Sequence, residues 1–185
     1  MTPQREALTG ALNGIWGDHP PATGNPPAVR MALRMGGRAL DLSCETGLAA
    51  QVAEPRSRLL VLAHGLCMGD LQWTRARATT MLRPWRDLGH TPVHLNLPTA
   101  AAMCRRTGAS SRPCSSSWWR AGLRRVDELA IVGHSMGGLV ARSARHHAGE
   151  QGQRWLASGR SKLVFLGTPH HGAPFERGGR PVDAA

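Results

Sequence analysis

Tyrosine is absent from this 185-residue chain and phenylalanine occurs only twice, a thin aromatic supply for a packed α/β core. Long apolar runs are missing as well. The longest, Leu59–Ala63 and Leu163–Leu166, fall far short of the roughly 20 residues a spanning helix needs. The N-terminus has no charged start leading into an apolar stretch, so neither a secretory leader nor a transmembrane segment is expected, and the expected compartment is the cytoplasm. Cys44, Cys67, Cys104 and Cys114 form no CxxC pair and stand at no zinc-finger spacing from a histidine, so they read as free thiols and no metal is expected. Acidic residues are scarce: 12 Asp+Glu face 23 Lys+Arg, a formal net charge of +11. Taken alone, that balance points to nucleic acid or an anionic membrane surface. The cations are scattered, however, with no basic stripe interleaved with aromatics and no helix-turn-helix or RNP-like motif, so nucleic acid is not the expected partner.

What is present suits one small soluble domain, or a fragment of a larger one, since 41% of the residues are hydrophobic. Residues 1–27 form a polar segment, Pro/Gly-rich toward its end, with a short helix expected before Gly17; residues 28–185 read as a partial domain. Alternating runs from Val29 to Met35 and from Arg38 to Leu42 flank Gly36-Gly37, the pattern of a β-hairpin. Leu59–Ala63 is a continuous apolar run and predicts a strand buried on both faces. Pro92–Leu97 predicts a second, weaker strand, Glu128–Val132 a third and Lys162–Leu166 a fourth, with a helix from Met136 to about His147. Strands alternating with helices give an α/β class with a mostly parallel sheet flanked by helices.

The stretch richest in chemical information is Gly133-His134-Ser135-Met136-Gly137-Gly138. It matches G-x-S-x-G, with an apolar strand before it and a helix after it, as a nucleophile elbow requires. A serine on so tight a strand-to-helix turn needs small neighbours, here Gly133 and Gly137, with His134 between the strand and the serine. Ser135 is the candidate nucleophile. The N–H of Met136, at the start of the following helix, is a candidate donor to a developing oxyanion. The rival reading is a glycine-rich turn of a nucleotide-binding fold, but the chain has neither G-x-G-x-x-G nor a Walker lysine. Strand Leu59–Ala63 runs into His64-Gly65-Leu66, and an HG loop is where this architecture places its second oxyanion donor; Leu66 N–H is the candidate, with a merely structural turn as the alternative.

The runs VLAHGLCMGDLQW, VGHSMGGLVARSA and FLGTPHHGAPFERGG together resemble bacterial α/β-hydrolase esterases and lipases, and are most similar in kind to the GPI inositol-deacylase (PGAP1-like) hydrolases. The resemblance covers residues 59–75 and 126–180, and residues 8–58 more loosely. It implies the α/β-hydrolase fold, hydrolysis of carboxylic esters through an acyl-serine, a small-molecule or lipid ester as substrate, and no cofactor. In this fold the triad follows the order Ser, then Asp or Glu, then His. Downstream of Ser135 the histidines are His146, His147, His170 and His171; the first pair falls on the helix and the second in a strand-end loop. The acid and base are therefore expected beyond Ala185, with the C-terminal strands lacking and the chain catalytically incomplete as it stands. A non-catalytic relative that binds acyl ligands or a partner is the alternative function.

Residues 98–122, PTAAAMCRRTGASSRPCSSSWWRAG by their core, carry Arg, Cys, Ser and Trp where the fold calls for a helix. Rereading the codons one register on turns Cys104 and Trp119 obligatorily into valine, and permits Asn-Ser-Gly-Arg-His-Val-Ser-Gln-Asn-Gly-Arg across Thr99–Ala109, which is similar to the segment the family carries there. The same shift over Ala78–Arg86 permits a family-like Gly-His-Asp-His. Residues 76–86 and 98–122 are thus expected to be translated out of frame, which would account for Cys104, Cys114, Trp118, Trp119 and part of the arginine excess.

Overall fold

A computed structural model describes residues 31–41, 51–52, 56–74, 76–97, 127–150 and 160–172. The expectations for residues 1–27 and 98–122, and for Cys44, Cys104 and Cys114, lie outside them. The first element is the hairpin: β1 (Ala32–Met35) and β2 (Arg38–Ala39) pair antiparallel. Its turn residues Gly36 and Gly37 have φ of 56° and 78°, the double positive φ of a tight hairpin turn, which glycine supplies without steric cost. Then come β3 (Arg58–Ala63), a short 3₁₀ helix (Asp70–Thr74), α1 (Ala76–Asp87) and β4 (His90–Asn96). Next are β5 (Glu128–His134), α2 (Met136–Glu150) and β6 (Ser161–Leu166).

The strands form a single sheet in the order β2-β1-β4-β3-β5-β6, parallel from β4 to β6 and antiparallel at the hairpin end. This is the mostly parallel α/β architecture that the strand–helix alternation predicts. The strand expected from Pro92 is present, begins two residues earlier at His90, and is interior, between β1 and β3. Its proline is tolerated because β1 pairs only with His94, Leu95 and Asn96, leaving Pro92 outside that ladder.

Successive side chains of a strand point to opposite faces, and both faces of β3 are covered. Leu59 and Ala63 join Val93, Leu95, Met136 and Val140 on the α2 side. Leu60 and Leu62, each 0% exposed, join Ala130, Val132, Trp73 and Leu82 on the α1 side. The continuous apolar run at 59–63 is thereby explained, since a two-faced strand has no solvent side on which to alternate. At the amino ends of the strands one carboxylate, Glu128 of β5, reaches three neighbours. Lys162 of β6 donates to it at 2.7 Å, with His90 of β4 at 3.5 Å and Arg58 of β3 at 3.9 Å. Among the described residues no helix is long and apolar enough to cross a membrane.

Candidate active site

The order of the strands fixes where a site can form. From β3 the chain crosses through α1 to β4 on one side, whereas from β5 it crosses through α2 to β6 on the other. The loops leaving β3 and β5 therefore diverge from the carboxyl ends of these adjacent strands, the position at which open α/β sheets form their binding crevice. Ala63 pairs with Gly133 in the register, so the HG loop and the serine turn lie level with each other there.

Ser135 links β5 to α2 at φ 52°, a left-handed conformation that a residue with a Cβ adopts at a cost of about 1–2 kcal/mol. The turn is held from both sides: Ser135 N–H donates to the Leu166 carbonyl of β6 at 2.8 Å, and Gly138 N–H donates to the Ser135 carbonyl at 3.1 Å. The glycines around it are demanded by close approach. A Cβ on Gly133 would come within 2.5 Å of Gly138 Cα, and one on Gly137 within 2.5 Å of the carbonyl oxygens of Ala63 and His64. A Cβ on Gly138 would collide with the Thr168 side chain, which fills that space from the loop after β6. The first turn of α2 thus sits directly on the end of β3, with Gly137 against the Ala63 and His64 carbonyls.

The HG loop closes on the serine from the other side. A Cβ on Gly65 would stand 3.1 Å from Ser135 Cβ and 3.0 Å from His134 Nδ1. Leu66 is exposed beside this contact, and Cys67 follows at φ 57°. His64 is buried, donating from Nδ1 to the Gly65 carbonyl at 2.9 Å and accepting from Leu97 N–H at Nε2 at 3.0 Å. Burial holds its imidazole below the ordinary 6.5, against the raising influence of the Gly65 carbonyl, Asp70 and Asn96. His94 on β4 is likewise lowered, mainly by burial.

Sequence reasoning gave no role to Asp70 or Arg34. Asp70 opens the 3₁₀ helix that ends the HG loop, is 4% exposed, and takes a 2.8 Å ion pair from Arg34 Nη1 on β1; Arg34 Nη2 also donates to the Gly37 carbonyl at 2.6 Å. The loop is thus braced against the hairpin. The sequence signal for it is an acid set among apolar residues within a short loop, but its partner lies 36 positions away.

The four downstream histidines are placed as follows. His146 and His147 stand on the last turn of α2, at 3.4 Å and 3.1 Å from Glu150. His170 packs edge-on to Phe165 with ring centroids 4.6 Å apart, its Nδ1 3.4 Å from Arg142 Nη1. His171 is exposed in the same loop. Among the described residues no histidine is hydrogen-bonded to Ser135 Oγ, and no group of three or more His, Cys, Asp or Glu converges as a metal site would require.

Nothing among curated proteins or solved structures matches the chain. Residues 116–181 match the family described as PGAP1-like alpha/beta domain. The matched stretch contains β5, Ser135, α2, β6 and the Thr168 loop, while the HG loop lies outside it. Over those residues the chain is similar to a PGAP1-like α/β-hydrolase domain, in keeping with the mostly parallel, helix-flanked sheet that carries them.

Proposed function

We propose that this protein is a serine hydrolase of carboxylic esters, esterase- or lipase-like, with Ser135 as nucleophile and the N–H groups of Leu66 and Met136 as the oxyanion hole. The observation that carries the reading is the strained Ser135 turn, at φ 52° between β5 and α2, with Gly65 of the HG loop so near it that a Cβ there would stand 3.1 Å from Ser135 Cβ. A left-handed serine persists only where surrounding structure over-determines it, and such strain gathers at reactive positions. In the proposed chemistry Ser135 Oγ attacks the ester carbonyl while a base takes its proton. The two N–H groups hold the resulting oxyanion, each worth about 3–4 kcal/mol in such sites. The tetrahedral adduct collapses to an acyl-serine as the alcohol leaves with a proton, and water then releases the acid. The acid and base of the triad lie, on this reading, outside the described residues.

A second reading, a non-catalytic binder of acyl ligands, is favoured by one observation: the ring nitrogens of His64 and Nδ1 of His170 are engaged elsewhere. A serine hydroxyl without a base is a weak nucleophile. Hydrolysis of a short p-nitrophenyl ester, followed in the parent and in Ser135→Ala, decides between them. Loss to background in the variant is the expected result. Hydrolysis that survives the substitution removes Ser135 from the role, and a parent that binds the ester without turnover or fluorophosphonate labelling supports the binder.

A further inference from the structure

His64 is the least exposed ionisable side chain among the described residues, at 1%. Its two hydrogen bonds to the backbone select one tautomer. A carbonyl oxygen can only accept, so the proton is on Nδ1, facing Gly65; a backbone N–H can only donate, so Nε2 is bare, facing Leu97. The ring is therefore neutral, and its tautomer is dictated by a backbone amide at the end of β4.

The effect reaches Leu66. The Gly65 carbonyl and the Leu66 N–H belong to one trans peptide unit, planar and rigid, so the two bonds point in opposite directions. Gly65 has no Cβ and resists rotation of that unit weakly. Anchoring its oxygen on the imidazole stops the rotation and turns the Leu66 hydrogen away from the ring. The histidine backbone is placed as firmly, since its carbonyl lies against Gly137 at the start of α2.

We propose that His64 is a positioning residue: with its tautomer set by Leu97 N–H, its Nδ1–H fixes the Gly65–Leu66 peptide so that Leu66 N–H faces the oxyanion formed on Ser135. This rests on the serine-hydrolase reading above. The three hydrogen bonds run in series, Leu97 to His64, His64 to Gly65, Leu66 to the oxyanion, and each polarises the next. Asp70 and Asn96 face the ring and favour its charged form, while burial opposes them more strongly. Protonation would put a hydrogen on Nε2 against the Leu97 N–H and break the series at its head.

Two substitutions separate this from a merely structural strut. In His64→Asn the amide nitrogen stands about where Nδ1 stood and can still donate to Gly65, but Leu97 loses its acceptor. In His64→Gln the side-chain oxygen can reach Leu97, but nothing donates to Gly65 from the Nδ1 position. The readout is the second-order rate at which a fluorophosphonate labels Ser135, forming the O–P bond as fluoride leaves, with thermal melting of each variant alongside. The expected result is labelling of His64→Asn within about tenfold of the parent and of His64→Gln about 100-fold slower, the scale of a lost oxyanion donor, with similar melting. Parent-like labelling of His64→Gln, or a folded His64→Asn as slow as it, overturns the proposal. Should His64→Asn not fold, the ¹⁵N resonances of the parent ring decide, and a proton found on Nε2 overturns it. A parent that does not label at Ser135 fails the hydrolase reading itself.

Discussion

Two side-chain-bearing residues beyond the carboxyl ends of β3 and β5, Cys67 and Ser135, sit at left-handed φ, and they differ in what removing the strain would cost. Glycine adopts this conformation freely, so Cys67→Gly is expected to stabilise the fold by roughly 0.5–1 kcal/mol, seen as a higher melting temperature. Ser135→Gly is expected to do the same and also to abolish labelling by the fluorophosphonate, whereas Ser135→Ala abolishes labelling with no gain in stability. Equal melting of the glycine and alanine variants would show that the turn stores no strain. Ser135, its flanking glycines and Leu66 could be picked out from the sequence because each is spelled locally, within a strand–turn–helix or a strand–HG run. The tautomer of His64 and the Arg34–Asp70 brace could not, because their partners lie 33 and 36 positions away and nothing local specifies which strands become neighbours.

Among the elements, α2 is fixed by contact and α1 is burdened by composition. Gly137→Ala would press a methyl group against the carbonyls of Ala63 and His64 and displace the start of α2. Overpacking of this kind costs about 1–3 kcal/mol, and fluorophosphonate labelling should fall with it. Within α1, Pro84 removes a helical hydrogen bond from the interior of the helix, so Pro84→Ala is expected to stabilise by roughly 1–3 kcal/mol in a denaturant titration. The proline also bears on the proposal that residues 76–86 and 98–122 are read out of frame. Sequencing the coding DNA tests it: single-base corrections that restore family-like residues support it, and an unaltered frame removes it. At the sheet's amino edge, Lys162 foremost holds Glu128 below the usual carboxylate range. A depressed folded-state value means stability that is present above pH 4.5 and lost as pH falls through the folded value. Glu128→Gln should therefore cost roughly 0.2–1 kcal/mol near neutrality, since Lys162 is solvent-screened, and nothing once the carboxylate is protonated.

For the whole molecule, stability resides in a sheet covered on both faces. Leu62→Ala, at a fully buried position on the α1 side, is expected to cost about 2–5 kcal/mol. His64 and His94 add a pH dependence of opposite sense to a paired histidine. Burial lowers both, so below 6.5 the unfolded chain takes up protons that the folded chain does not. Stability is full above that pH and declines as pH falls toward the folded values, which a series of melts between pH 7 and 5 would register. The class of the fold could be foretold from alternating strands and helices, but the order of its strands could not: that β4 lies inside and that the winding reverses beside β3 follow from long-range pairing. The reversal has a mechanical meaning. Leu66 belongs to the half wound toward β4 and Met136 to the half wound toward β6, so an oxygen gripped by both amides would be a rivet through the seam between two halves. Heat would then have to part them together, and a tetrahedral adduct should make the protein melt later and more sharply than the free form.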